Sequence, residues 1–217
     1  MDDSGSVLLR VISFLRALVF LEFREDQDIG CTLVPSLSTL AKLQSSTLTS
    51  FYVNSCHLPH ESVLTFGDLP RLITFEIDLI THNDEALHVP KDAFEGMLSL
   101  AELTISCSSS MLLLAPTCLS KLTMLTVLGL KFCRLQDVPE ALLGVKASLR
   151  QLDLTHNPDL QISQAGFDIL LALPSLRVID LEKEEMTWEP ISLRFLVRYL
   201  SVRNVLYPGS TQPSLNL

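Results

Sequence analysis

Six times along the chain a leucine opens a short run in which apolar residues return at the third and fifth places after it. The clearest copies are Leu48-x-x-Phe51-x-Val53-x-x-Cys56-x-Leu58, Leu125-x-x-Leu128-x-Leu130-x-x-Cys133-x-Leu135 and Leu149-x-x-Leu152-x-Leu154-x-x-Asn157. Weaker copies open at Leu72 (Phe75, Ile77), Leu100 (Leu103, Ile105, Ser108) and Leu176 (Ile179, Leu181). The first leucines are separated by 24, 28, 25, 24 and 27 residues. A repeat of this length constrains the fold more than any local propensity. Each copy is one supersecondary unit, too small to bury its own apolar side, so it must pack on its neighbours.

Within a copy the last two apolar residues keep a period of two, the period of a strand, so they share one side while the residues between them point the other way. A strand this short is stable only beside others, in a parallel sheet with strands about 4.8 Å apart. Between the strands, Ala93-Phe94-x-x-Met97-Leu98, Leu119-x-x-Leu122, Ala141-Leu142-Leu143 and Phe167-x-x-Leu170-x-x-Leu173 have helix-like spacing and can lay a stripe against that sheet. Pro70, Pro90, Pro116, Pro139 and Pro174 interrupt these connections and limit helix length.

This pattern resembles the leucine-rich repeat family over roughly residues 45 to 186, with a degenerate copy at Leu18-Leu21-Phe23. The resemblance implies an α/β fold: a curved, horseshoe-like solenoid with short parallel strands on its concave face and short helices or irregular segments on its convex face. It also implies that Asn157, Cys56 and Cys133 are inward side chains that hydrogen-bond the backbone of the turn after the strand, cysteine more weakly than asparagine. The Leu72 and Leu176 copies carry Ile80 and Glu184 at that place, which predicts longer or reshaped turns there.

An array of repeats exposes its core at both ends and needs covers. Residues 1–44 are expected to form an N-terminal cap, with Val7, Val11, Phe14, Leu15 and Leu18 near helical spacing, and residues 45–188 the repeats. Residues 189–207 are expected to form a C-terminal capping helix, with Pro190 at its first position and Arg194 and Arg198 on its polar side. A detachable partner-binding helix is the rival reading. Residues 208–217 read as a flexible tail, and the short ends also allow a fragment of a larger repeat protein.

Projecting the strand pattern places Glu22, Tyr52, Glu76, Thr104, Gly129, Asp153 and Asp180 in one outward column. Arg24, Asn54, Asp78, Ser106, Lys131, Thr155 and Glu182 fall in the next. The candidate partner-binding residues are Glu22, Tyr52, Glu76, Asp78, Lys131, Asp153, Asp180 and Glu182. Neighbouring acids such as Asp153 and Asp180 should repel by about 1–3 kcal/mol at a separation of about 5 Å, and a partner's Arg or Lys would relieve that. The alternative is an ordinary solvated acidic face. Tyr52 and Phe132 project as outward aromatics that can anchor a partner or be covered by a neighbouring loop.

With 16 Lys and Arg against 25 Asp and Glu, the formal charge of −9 argues against nucleic acid and acidic membranes, and a basic protein is the partner it favours. A chain that is 47% hydrophobic and 19% charged is not a disordered one. The opening MDDSGS carries acids where a secretory signal carries positive charge, and Arg10, Arg16 and Glu22 break the apolar run that follows. Five cysteines, an odd number without a CxxC pair, and the absence of any Asn-x-Ser/Thr sequon favour a reduced, cytoplasmic or nuclear protein.

Catalytic signatures are missing: no glycine-rich phosphate loop, no Gly-x-Ser-x-Gly, no HExxH. Cys56-His57-Leu58-Pro59-His60 is a poor metal site, since Cys56 and Leu58 belong to the repeat and Pro59 spoils helical spacing between the histidines. The expectation is therefore a monomeric, non-catalytic protein-protein interaction module, an intracellular adaptor or signalling scaffold, with no cofactor. The alternatives are a fragment of a larger repeat receptor or of a ubiquitin-ligase substrate-recognition protein, an enzyme with an acidic cleft, and a purely structural repeat copy.

Overall fold

The structure, a computed structural model, describes residues 17–24, 41–57, 63–80, 86–108 and 110–181. The expected C-terminal cap, the tail, Glu182, and the turns at Leu58–His60, Thr81–Asn83 and Glu184 lie outside the described residues, as does the expected N-terminal cap except for residues 17–24 and 41–44. So do the side chains of Arg24, Cys56 and His57.

Seven strands form one parallel sheet: β1 (Phe20–Arg24), β2 (Ser50–His57), β3 (Thr74–Ile80), β5 (Glu102–Cys107), β7 (Val127–Lys131), β8 (Gln151–Asp153) and β9 (Val178–Asp180), side by side in chain order. Parallel neighbours need a long return, and the described return residues pack on the buried side of the sheet. Two returns contribute a second, smaller parallel pair, β4 (Leu87–Val89) with β6 (Leu112–Leu114), and Val63 adds a bridge to His88. This mostly parallel sheet with few helices is an α/β fold.

Register runs straight across the sheet. Leu21, Phe51, Phe75, Leu103, Leu128, Leu152 and Ile179 are lateral partners, as are Phe23, Val53, Ile77, Ile105 and Leu130. All but Leu21 and Phe23 are fully buried. The leucines that open the six copies, Leu48, Leu72, Leu100, Leu125, Leu149 and Leu176, are each 0% exposed. Burying a leucine this far contributes about 1.5–3 kcal/mol, so the regular spacing in the sequence converts into one continuous core. At the β1–β3 end the core is aromatic: Phe51 stacks on Phe75 with centroids 5.2 Å apart, and Phe66 meets Phe75 edge-on at 4.8 Å.

The return segments are tighter than their helix-like spacing suggests. Among the described residues one α-helix forms, α1 (Gln164–Leu171), together with a 3-10 helix at Glu140–Val145. Ala93, Phe94, Met97, Leu119 and Leu122 are buried as expected, but they sit on successive i to i+3 turns such as Ala93 N to Pro90 O and Leu122 N to Leu119 O. Leu98, expected on the same stripe, is instead exposed. A return of so few residues, entered at a proline, closes three-residue turns before an α-helix can propagate. The α-helix appears in the 27-residue copy, where Ser163 caps it by accepting from Gly166 N at 3.2 Å.

Close backbone approach holds successive returns together. Gly67 and Gly96 sit where a Cβ would collide with the neighbouring return: at Gly67 it would meet Leu43 O at 1.7 Å, and at Gly96 it would meet Gly67 O at 2.6 Å. Leu69 N donates to Gly96 O across the same contact.

Three turns differ from the sequence expectation. Strands β2, β3 and β5 do not stop after the second apolar residue. Leu79 and Cys107 continue the inward alternation, so Leu79 and Cys107, not Ile80 and Ser108, are the inward residues at those places. Cys56 pairs in the strand with Leu79 instead of beginning a turn. In β3 and β5 an apolar residue one step earlier lets the strand alternation continue, and the ladder hydrogen bonds then outcompete a turn; β2 reaches the Cys56–Leu79 pairing through a register shift after Val53.

Candidate functional site: the outward rows of the sheet

The outward side of a parallel sheet is built from the residues between the buried ones. The described register places Glu22, Tyr52, Glu76, Thr104, Gly129, Asp153 and Asp180 in one lateral row across all seven strands. Four carboxylates stand in this row and no cation does. A second row is complete only in parts. Arg24 pairs with Asn54, Asp78 with Ser106, and Ser106 with Lys131, but the β2–β3 register shifts between Val53 and Cys56, so Asn54 and Asp78 are not direct partners as the projection required. A bulge there puts two residues of β2 opposite one of β3.

At the β1–β2 end, Asn54 Nδ2 donates to Glu22 Oε1 at 2.9 Å, and the half-buried Tyr52 ring lies 5.3 Å from Phe20 at 33°. Glu76 and Asp78 are half-buried on β3. At the β7–β9 end a denser polar group forms. Lys131 Nζ lies 2.9 Å from Asp153 Oδ2, and Asp153 Oδ1 accepts from Thr155 N at 3.0 Å and Thr155 Oγ1 at 2.7 Å. Burial pushes the Asp153 carboxyl up, but the Lys131 ammonium and the Thr155 donors outweigh it and hold Asp153 below the ordinary carboxylate range. Asp180, its lateral partner, accepts a long bond from Gln151 Nε2 at 3.5 Å. Burial, and then the Asp153 charge, raise it above that range. The expected repulsion between the two aspartates therefore falls on Asp180. The Lys131–Asp153 pair escaped the column projection because it is diagonal, two residues out of register across β7 and β8; counting i, j±2 neighbours would have found it.

Beyond the strand ends, Phe132, Arg134 and His156 hold left-handed backbone, with φ of 54°, 46° and 60°. The Phe132 and His156 rings stack with centroids 4.1 Å apart and planes 11° apart, and Phe132 stays 45% exposed. Arg134 Nε lies 3.8 Å from Asp159 Oδ2. Beneath this turn is Asn157, whose Oδ1 accepts from Cys133 N and Leu135 N, at 3.0 and 3.2 Å. Its Nδ2 donates to Leu130 O, Leu154 O and Thr155 O, at 2.7, 2.9 and 3.2 Å. Cys133 Sγ donates to Lys131 O at 3.1 Å and Ile105 O at 3.4 Å. Burial, and then its neighbour Cys107, push the Cys133 thiol well up, and burial pushes Cys118 up to about 12. Both are therefore protonated packing groups and not nucleophiles.

A cavity of about 520 Å³ lies among the returns, lined by Phe66, Gly67, Asp68, Asp92, Glu95 and Gly96 among others, and none of the outward-row residues lines it. Among the described residues no group of three or more His, Cys, Asp or Glu side chains is placed to hold a metal ion, and no helix is long and apolar enough to cross a membrane. Comparison with protein-family models gives no match, and comparison with curated proteins gives none either.

Proposed function

We propose that this chain is a leucine-rich-repeat protein, a curved solenoid of six or seven repeats, and that it is a non-catalytic module binding a basic protein partner. Contact is made through the outward sheet face and the adjoining loops, and the chain acts as an intracellular adaptor or scaffold. The strands standing side by side in chain order, with the described return residues packed on one core, support the repeat reading. The inward Asn157 bracket supports it as well.

The observation that carries the binding reading is the unbroken row from Glu22 to Asp180, four carboxylates across seven strands with no cation among them. A row of this kind raises the local potential for a positively charged segment and speeds its encounter. Since the backbone of the face is fixed by the sheet, binding needs little ordering of this chain. Capture from native extract is compared between the wild-type chain and a Glu22→Lys/Glu76→Lys/Asp180→Lys variant whose fold is checked by circular dichroism. The reading expects a captured protein that is released by salt and lost in the folded variant. Equal capture by both chains overturns it.

A further inference from the structure

The acidic row selects for a cation without saying which one, and the turns after β7 and β8 narrow the choice. Phe132 and His156 directly follow Lys131 and Thr155, the two residues that bond Asp153. Both hold a backbone conformation that side-chain-bearing residues rarely adopt. Such positions are retained where the surroundings over-determine them, and here the surroundings are the Asn157 bracket and the stack itself. The outcome is an aromatic plate of fixed orientation at the rim of the outward face, with nearly half of Phe132 in water. The charged groups beside it are engaged in pairs, Lys131 with Asp153 and Arg134 with Asp159. The long-range charge a ligand meets is therefore that of the row, which is negative.

We propose that the Phe132–His156 stack is a platform for an arginine side chain of a protein partner whose basic segment lies along the acidic row. This rests on the sheet-face reading given above. A guanidinium is planar and weakly hydrated, so it can lie on an aromatic face while its in-plane N–H groups still donate to carboxylates. A lysine ammonium is compact and strongly hydrated, and gains less from the same surface. The row alone attracts both cations; the platform discriminates between them. A nucleobase could stack equally well, but its phosphates would meet the row with the wrong sign.

The test titrates the whole chain with two labelled peptides of equal length and charge, one of Arg-Gly-Ser repeats and one of Lys-Gly-Ser repeats, at low salt. The arginine peptide is expected to bind about three- to tenfold more tightly. Phe132→Asn removes the ring with a residue that accepts left-handed backbone, so it should fold, bring the ratio of the two affinities to about one and leave the lysine peptide unchanged. Phe132→Tyr should retain the preference. In Glu76→Lys/Asp180→Lys both peptides should be lost. Equal affinity of the two peptides for the wild-type chain, with both lost on charge reversal, overturns the arginine platform and leaves the sheet-face reading standing. Binding that survives charge reversal, or no binding of either peptide, overturns the sheet-face reading and the platform with it.

Discussion

Asn157 is 6% exposed and makes five hydrogen bonds, all to backbone atoms of its own turn or of the preceding strand and turn. Replacing it by Leu strands Cys133 N, Leu135 N and Leu130 O in the core. At about 1–3 kcal/mol for each buried group left unsatisfied, with partial relaxation, Asn157→Leu should cost about 3 kcal/mol by urea denaturation. Asp153 and Asp180 give a pair of opposite signs. The depressed Asp153 contributes stability above its unfolded pKa and loses it as pH falls through its lower folded value. The raised Asp180 contributes below its unfolded pKa and loses that contribution as pH rises through its higher folded value. Asp180→Asn should therefore be more stable than wild type at pH 7, with the advantage gone below about pH 4, while Asp153→Asn should be less stable at pH 7. Denaturant midpoints measured across that range check both signs. At this scale the inward role of Asn157 was expected through the family resemblance. The Lys131–Asp153 pair was not, because a lateral projection keeps only direct partners.

Strand cores were legible because an alternating run has one way to bury its apolar side, and Phe51, Phe75, Leu103, Leu128, Leu152 and Ile179 all lie in one inward row. Strand ends were less so: the alternation runs on to Leu79 and Cys107, and nothing in the spacing marks where a turn takes over. The small β4–β6 sheet was invisible, since Leu87-His88-Val89 and Leu112-Leu113-Leu114 are three residues each and carry no period of their own. Truncating the central row should be costly, with Leu128→Ala losing about 2–5 kcal/mol. Gly96→Ala should also destabilise, by about 1–3 kcal/mol, although it adds only a methyl group, because the two nearest atoms it would meet, Gly67 O and Asp68 Cα, belong to backbone that cannot rotate away. Thermal unfolding of the two variants distinguishes lost burial from enforced separation, since a second substitution that shortens a neighbouring side chain cannot rescue Gly96→Ala.

Among the described residues, each strand of the large sheet pairs only with the large-sheet strands before and after it in the chain, so stability is passed from neighbour to neighbour and no strand pairing joins β1 to β9. Amide exchange in β3, β5 and β7 should therefore be slowest, with protection falling toward β1 and β9. Uniform protection along the sheet would contradict neighbour-only coupling. The order of the strands followed from the repeat length, which leaves a copy no partner but its predecessor and successor. The register shift at β2 did not follow, because a bulge changes no apolar position that a pattern can count. In the middle of the carboxylate row Gly129 contributes no side chain, and Thr104 closes over it: a Cβ there would meet Thr104 Oγ1 at 3.1 Å and Cγ2 at 3.2 Å, and Gly129 is buried. Between Glu76 and Asp153 the row therefore carries no charge across two strands. The face is two acidic stretches parted by a neutral span, and a ligand whose cations are gathered toward its two ends matches it better than one charged evenly along its length.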